Sequence, residues 1–162
     1  MNLENQFNTE FYDHAPCGYF SNEKNGLITN INATLCEWLH YEKNEIIGKL
    51  YFWDILTIGS KIYSQTHYIP LLQIQGFVKE VNLEMKKQNG ELLPILINSK
   101  IEGDITKDFY FVHSAVVDIS QRKQYEKELL IAKKNADDLV LRLSKTNVEL
   151  EKFNYVLRSG HT

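Results

Sequence analysis

The chain has 162 residues, enough for one domain with length to spare. Hydrophobic residues make up 43% and charged residues 24%, the balance of a water-soluble globular protein. A formal net charge of -3 gives no general attraction to nucleic acid or anionic membrane. Cys17 and Cys36 have no CxxC spacing and no matched histidine cluster, which argues against zinc and for two buried thiols in a reducing compartment. The polar start, MNLENQF, lacks a basic segment followed by an apolar one, and no window approaches the ~20 apolar residues of a membrane helix. A cytoplasmic protein is expected.

In chain order, GYFSN (18–22) and LITNIN (27–32) flank Lys24-Asn25-Gly26. Asn-Gly between apolar runs predicts a hairpin, because both residues tolerate positive φ. Asn32 then fits as N-cap of a helix over ATLCEWL, with Leu35, Trp38 and Leu39 at helical spacing. Short helical pieces follow at Asn44–Ile47, stopped by Gly48, and at Phe52–Leu56. Gly59-Ser60 opens a further helix, KIYSQTHYI, which Pro70 should kink or end, and Gly76 closes the next segment. Val81, Leu83 and Met85 alternate with polar residues, predicting a strand. Asn89-Gly90 marks a second hairpin. Leu92–Ile97 is a strand candidate in which Pro94 calls for an edge or bulge. Glu102-Gly103-Asp104 is expected to turn, and Phe109 to Ile119 is the last and longest strand candidate. The order is ββ, short helices, then a βββ meander: an α+β, five-stranded antiparallel sheet with helices on one face.

After residue 120, Gly and Pro vanish until Gly160, which predicts one long helix. Leu129, Ala136, Leu143, Leu150 and Leu157 fall at a, and Tyr125, Ala132, Leu139, Thr146 and Phe153 at d, without a break. One chain cannot bury that stripe alone, so a parallel homodimer is expected, with Glu128 at g facing Lys133 at e of its partner. Ala132, Ala136 and Thr146 make the seam a marginal one.

Four stretches carry a family resemblance: HAPCGYFSNEKNGLITNIN; NATLCEWLHYEKNEIIGK, in which His40 stands where Gly is usual before Tyr41; KKQNGELLPILIN; and Asp118-Ile119-Ser120-Gln121-Arg122-Lys123 with Glu126. Together, over roughly residues 11–128, they resemble the PAS family of sensory domains. The likeness implies an N-terminal flank (1–10), a sensor domain (11–120) and a signalling helix (121–162). It also implies a small-molecule or cofactor pocket between sheet and helices, and dimeric signalling to an effector such as a histidine kinase.

By that resemblance, Asp118, Ile119, Ser120 and Arg122 form the hinge between sheet and helix. A strand running straight into a helix transmits sheet movement to it, and the Asp118 carboxylate suits the helix start. The strand face of Val112, Ser114 and Val116 looks into the pocket, with Trp38 and Trp53 as candidate walls. His67 is the one candidate haem ligand, but it stands without a matching sequence context, and the protein is expected to be colourless. Cys36, in Leu-Cys-Glu, does not match the Asn-Cys-Arg motif of photoactive flavin domains. NVELEKFNYV resembles the approach to a histidine-kinase phosphoacceptor, but Ser159 stands at the histidine position, and His161 comes two later with no acid after it. No catalytic constellation is present, so the chain reads as non-enzymatic. The rival reading is a dimerisation or protein-docking module with no small ligand.

Overall fold

The computed structural model describes residues 3–160, so the reading that rests on His161 lies outside the described residues. There are two compact units, one up to Ser120 and one from Gln121 on.

The first unit opens with α1 (Leu3–Asp13), which crosses the expected boundary at residue 10. Its aromatic residues Phe7 and Phe11 are exposed, so no buried periodicity announced it. Asp13 at its end is held by the Ala33 amide at 3.1 Å and the Lys43 ammonium at 2.6 Å. The expected hairpin follows as β1 (Gly18–Glu23) and β2 (Ile28–Ile31). Gly26 has φ +92°, and a Cβ there would stand 2.3 Å from Trp53 Nε1, so two independent constraints require glycine.

Asn32 caps α2 (Ala33–Leu39), which His40 ends in the left-handed conformation at φ 61°. That conformation explains why glycine is usual there in the resembling family: it carries no Cβ penalty. α3 (Lys43–Ile46) has a reciprocal capping box between Glu42 and Glu45, and a 3-10 turn covers Phe52–Ile55.

The expected helix around residue 60 is three segments. α4 (Ile58–Tyr63), capped by Thr57, runs into a π turn (Ser64–Tyr68) and then α5 (Ile69–Gln75). Pro70 does not end the helix. It lies in the first turn of α5, where the preceding π turn takes up the irregularity.

β3 (Phe77–Lys86), β4 (Leu92–Asp104) and β5 (Phe109–Asp118) form the meander, and the five antiparallel strands lie in the order β2-β1-β5-β4-β3. A bulge between Val78 and Val81, with Glu80 at φ 53°, explains why period two is legible only from Val81 on. Glu102-Gly103-Asp104 is not a turn. These residues pair with Phe111, Tyr110 and Phe109, and the reversal is the 3-10 turn Ile105–Lys107. Pro94 sits in an inner strand, contrary to the edge expectation. Its carbonyl points toward β5, and its nitrogen therefore does too, at a position beyond the first β4–β5 pair, Ile95–Asp118. No ladder bond is lost there.

The core lies between the inner sheet face and the short helices. Phe20, Ile31, Leu35, Leu39, Phe52, Met85, Ile95 and Ile97 are almost wholly buried. The second unit is made of α6 from Gln121 on; the helix itself starts at Ser120, the last residue of the first unit, and ends at Ser159, 40 residues without interruption.

Candidate functional site

Strands β1, β4 and β5, the 3-10 turn Phe52–Ile55, the π turn and α5 build the interior around the candidate site. On β5, Tyr110, Val112, Ser114 and Val116 are all buried, as strand parity requires. Ser99 on β4 faces the same way and pairs with Ser114. The Tyr68 hydroxyl, from the π turn, donates to Ser99 Oγ at 2.7 Å, and Ser99 and Ser114 share a hydrogen bond of 2.7 Å. Burial raises the Tyr68 phenol above its usual range, so it stays a neutral donor. This polar chain ties the helical layer to β4 and β5. Beside it Phe52 gathers Phe20, Trp53 and Tyr68, with ring centroids 5.0 to 6.0 Å apart.

What space remains is small. A cavity of about 20 Å³ is bounded by Asn22, Trp53, Tyr68, Tyr110 and Val112, with Lys24 and Gln73 also on its wall. It is not wholly apolar: Asn22 is 4% exposed, and its Oδ1 is buried with no partner. Gln73 Nε2 donates to the Tyr110 hydroxyl at 3.4 Å. Ser64 Oγ, on the π turn, is likewise buried and unpartnered.

Several expectations change. The apolar cavity expected near Val112, Ser114 and Val116 is nearly filled. Only Val112 borders the remaining space, Ser114 is in the hydrogen-bond chain, and Val116 is fully packed. Trp53 lines the space, and its Nε1 donates to the Asn25 carbonyl at 3.3 Å. Trp38 packs against the core from α2 but does not reach the cavity. His67 faces solvent, stacks on Tyr63 at 4.8 Å and bonds Thr66, so it offers nothing to an interior haem. The π turn presents Ser64 and Tyr68 inward instead. Cys36 is buried, which pushes its thiol up to about 11, whereas Cys17 is only half-buried. Among the described residues, no histidine, cysteine and acid cluster could hold a metal.

The outer sheet face carries a groove of about 630 Å³ walled by Tyr12, Tyr19, Phe77, Lys79 and Lys100. Within it Ser21 bonds His113 Nδ1 at 2.7 Å, and His113 Nε2 bonds Glu102 at 2.6 Å, linking β1, β5 and β4. The sequence gives no cue to this contact, because only the strand order makes the three neighbours.

At the end of β5, Asp118 Oδ1 accepts from the Ser120 amide at 2.8 Å. Ile119 is buried, and its amide donates to the Pro94 carbonyl at 3.0 Å. In α6, Arg122 pairs with Glu126 one turn on, at 3.0 Å. α6 buries none of its residues: Leu129, Ala136, Leu139, Leu143, Leu150, Phe153 and Leu157 are all exposed, Leu129 at 70%. Among the described residues, no helix is long and apolar enough to cross a membrane.

Comparison with known proteins agrees with this architecture. The chain is 33% identical over 124 residues to the phosphoserine phosphatase RsbP of Bacillus subtilis (strain 168), covering 76% of this chain but only 30% of RsbP. It thus spans less than a third of that relative. A PAS domain from Colwellia psychrerythraea superposes with a TM-score of 0.64 at 15% identity, covering 74% of this chain and 99% of that one. A PAS domain from a two-component sensor histidine kinase gives 0.59 at 15% identity, covering 72% and 96%. The model of the PAS domain matches residues 16–121, well over half the chain, and the chain belongs to the PAS domain family.

Proposed function

We propose that this chain is a cytoplasmic sensory module that passes a change at its sheet through Asp118-Ile119-Ser120 into α6, and through a parallel α6 pair to an effector. The carrying observation is the 40-residue α6, which starts one residue after β5 and leaves its whole a/d stripe exposed. Apolar area of that extent, in heptad register, is the surface of a two-stranded coil. Ile119 supports the hinge, since its side chain and amide anchor the connection to β4 just before the helix begins. The effector is a histidine kinase or, given the likeness to RsbP, a phosphatase. In this reading the input enters at the cavity beside Trp53 and Tyr68.

Cysteine cross-linking tests the pairing. In a Cys17→Ser, Cys36→Ala chain, Leu139→Cys and Leu143→Cys should each form disulfide dimers on mild oxidation, while Asp137→Cys and Leu141→Cys should not. Equal cross-linking at all four positions, or none, overturns the parallel coil.

One observation favours a second reading, the docking module without a small ligand. The outer groove is some thirty times larger than the interior cavity. If a partner protein seats there, Lys100→Glu should abolish its binding and leave small-molecule binding intact.

A further inference from the structure

We infer that the interior cavity takes one small uncharged hydrogen-bond donor, of one to three heavy atoms, held by the Asn22 carbonyl. The inference rests on the reading of the interior as the input site and names what that input is.

Size sets the first limit. About 20 Å³ is little more than the ~10–15 Å³ that one water-sized probe occupies, so haem, flavin and metabolites of ordinary size do not fit. Chemistry sets the second. Buried side-chain oxygens are nearly always paired, yet Asn22 Oδ1 has no partner, while its Nδ2 is spent on the Glu23 carbonyl at 2.8 Å. The unmet group is an acceptor, so the occupant must donate. Asn22 pairs with Val112 on β5, which sets Tyr110 diagonally across the same inner face. The Tyr110 hydroxyl, which accepts from Gln73, keeps its own proton to give. A molecule that both donates and accepts therefore satisfies the site, as a short alcohol or simple amide does. Charge sets the third limit. The one ammonium on the wall, Lys24, is paired with Asp108, and the other wall residues are the uncharged amides Asn22 and Gln73 and aromatic or aliphatic side chains, so a bare ion would be buried without a counter-charge.

The site also has a readout. Tyr68 borders the cavity and begins the chain to Ser99 and Ser114, so an occupant pressing on its ring acts on β4 and β5.

The test uses the full chain carrying Trp38→Phe, so that emission comes from Trp53 alone. Methanol and formamide are titrated as donors, with acetonitrile as an acceptor-only control of similar size. Saturable changes with the two donors, no such change with acetonitrile, and at least a tenfold weaker response in Asn22→Leu are expected. Proton contacts between bound methanol and the Trp53 or Tyr110 rings, measured by NMR on the chain with Asn22 intact, locate the site without relying on that variant. Equal response to acetonitrile, an undiminished response in Asn22→Leu, or no saturable response to any probe overturns the assignment. Binding without any change in the α6 cross-linking pattern would uphold the site and refute only the signalling reading.

Discussion

Asn32 is wholly buried, and all of its side-chain hydrogen-bonding capacity is used on groups that belong to separate elements. Its Oδ1 accepts from the Tyr19 amide at 2.9 Å and the Leu35 amide at 3.2 Å, and its Nδ2 donates to the Tyr12 and Cys17 carbonyls at 2.9 and 3.0 Å. Asn32→Ala removes four bonds at once and leaves four main-chain groups without that partner. Each bond contributes about 0.5–1.5 kcal/mol net, so four bound the loss at roughly 2–6 kcal/mol. Water can reach some of the groups around Tyr12, Cys17 and Tyr19, which places the expected loss near 3 kcal/mol, of which the helix cap alone is about 1. That is a large part of a typical domain stability of ~5–15 kcal/mol. Asn32→Asp should do no better at neutral pH. It keeps the acceptor but sets a buried carboxylate against two carbonyl oxygens. That carboxyl would titrate above its unfolded value, so Asn32→Asp should gain on Asn32→Ala as pH falls. Urea unfolding at fixed protein concentration, followed by tryptophan emission, measures both variants. A loss below about 1 kcal/mol for Asn32→Ala, with an unchanged urea dependence, would refute the claim that this residue holds α1, β1 and α2 together.

If the proposed α6 pair forms, Leu143→Asp should turn it into monomers in sedimentation, through a loss of a few kcal/mol from an unpaired charge in the seam, while the unit up to Ser120 stays folded; an unchanged species refutes the proposed coil. His40→Gly should stabilise the chain by about 1 kcal/mol, because glycine meets φ 61° without a Cβ clash, and a raised melting temperature reports it. Tyr68→Phe should lose about 1 kcal/mol with little change in packing, since Ser99 and Ser114 still pair with each other. At Asp13, burial raises the carboxyl, but the Lys43 and Ala33 hydrogen bonds outweigh it and hold the group below its usual range. Its contribution is therefore present above the unfolded carboxylate pKa and lost as pH falls through the folded one. Unfolding curves of the parent and Asp13→Asn should accordingly converge in acid.

The fold was legible where local chemistry dictates conformation. Gly26 and Gly90 take the positive φ that the Asn-Gly pairs announce, Asn32 supplies a cap, and period two on β5 separates its two faces, of which the family resemblance picks the buried one. Legibility failed where a long-range contact overrode the local signal. Gly103 reads as a turn, but φ +121° keeps it in β4 opposite Tyr110, where a Cβ would meet the Phe109 carbonyl at 2.9 Å. His67 is offered by the family resemblance alone, and the π turn presents its neighbours Ser64 and Tyr68 inward while His67 is exposed. Asn22 looked like any polar residue near a hairpin. That it is buried with an unmet carbonyl depends on Tyr110 and Trp53, far away in sequence. The stripe of α6, by contrast, was complete in the sequence, because a heptad repeat needs no distant partner to be seen.

The π turn at Ser64–Tyr68 closes on the Ile69 amide, which donates to the Ser64 carbonyl five residues back. Such a turn is an α-helix carrying one residue more than its pitch requires. The surplus can be taken away. Deleting Gln65, which is exposed, would let Ser64 and Ile69 close an ordinary four-residue repeat and leave α5 with its Pro70 in place. Losing a residue from the middle of a buried helix normally swings every later side chain by about 100°, a wholesale loss of register. Here the segment holds a spare unit of length, so a deletion would regularise the helix, and α4 through α5 should be the stretch of this domain that best survives being shortened.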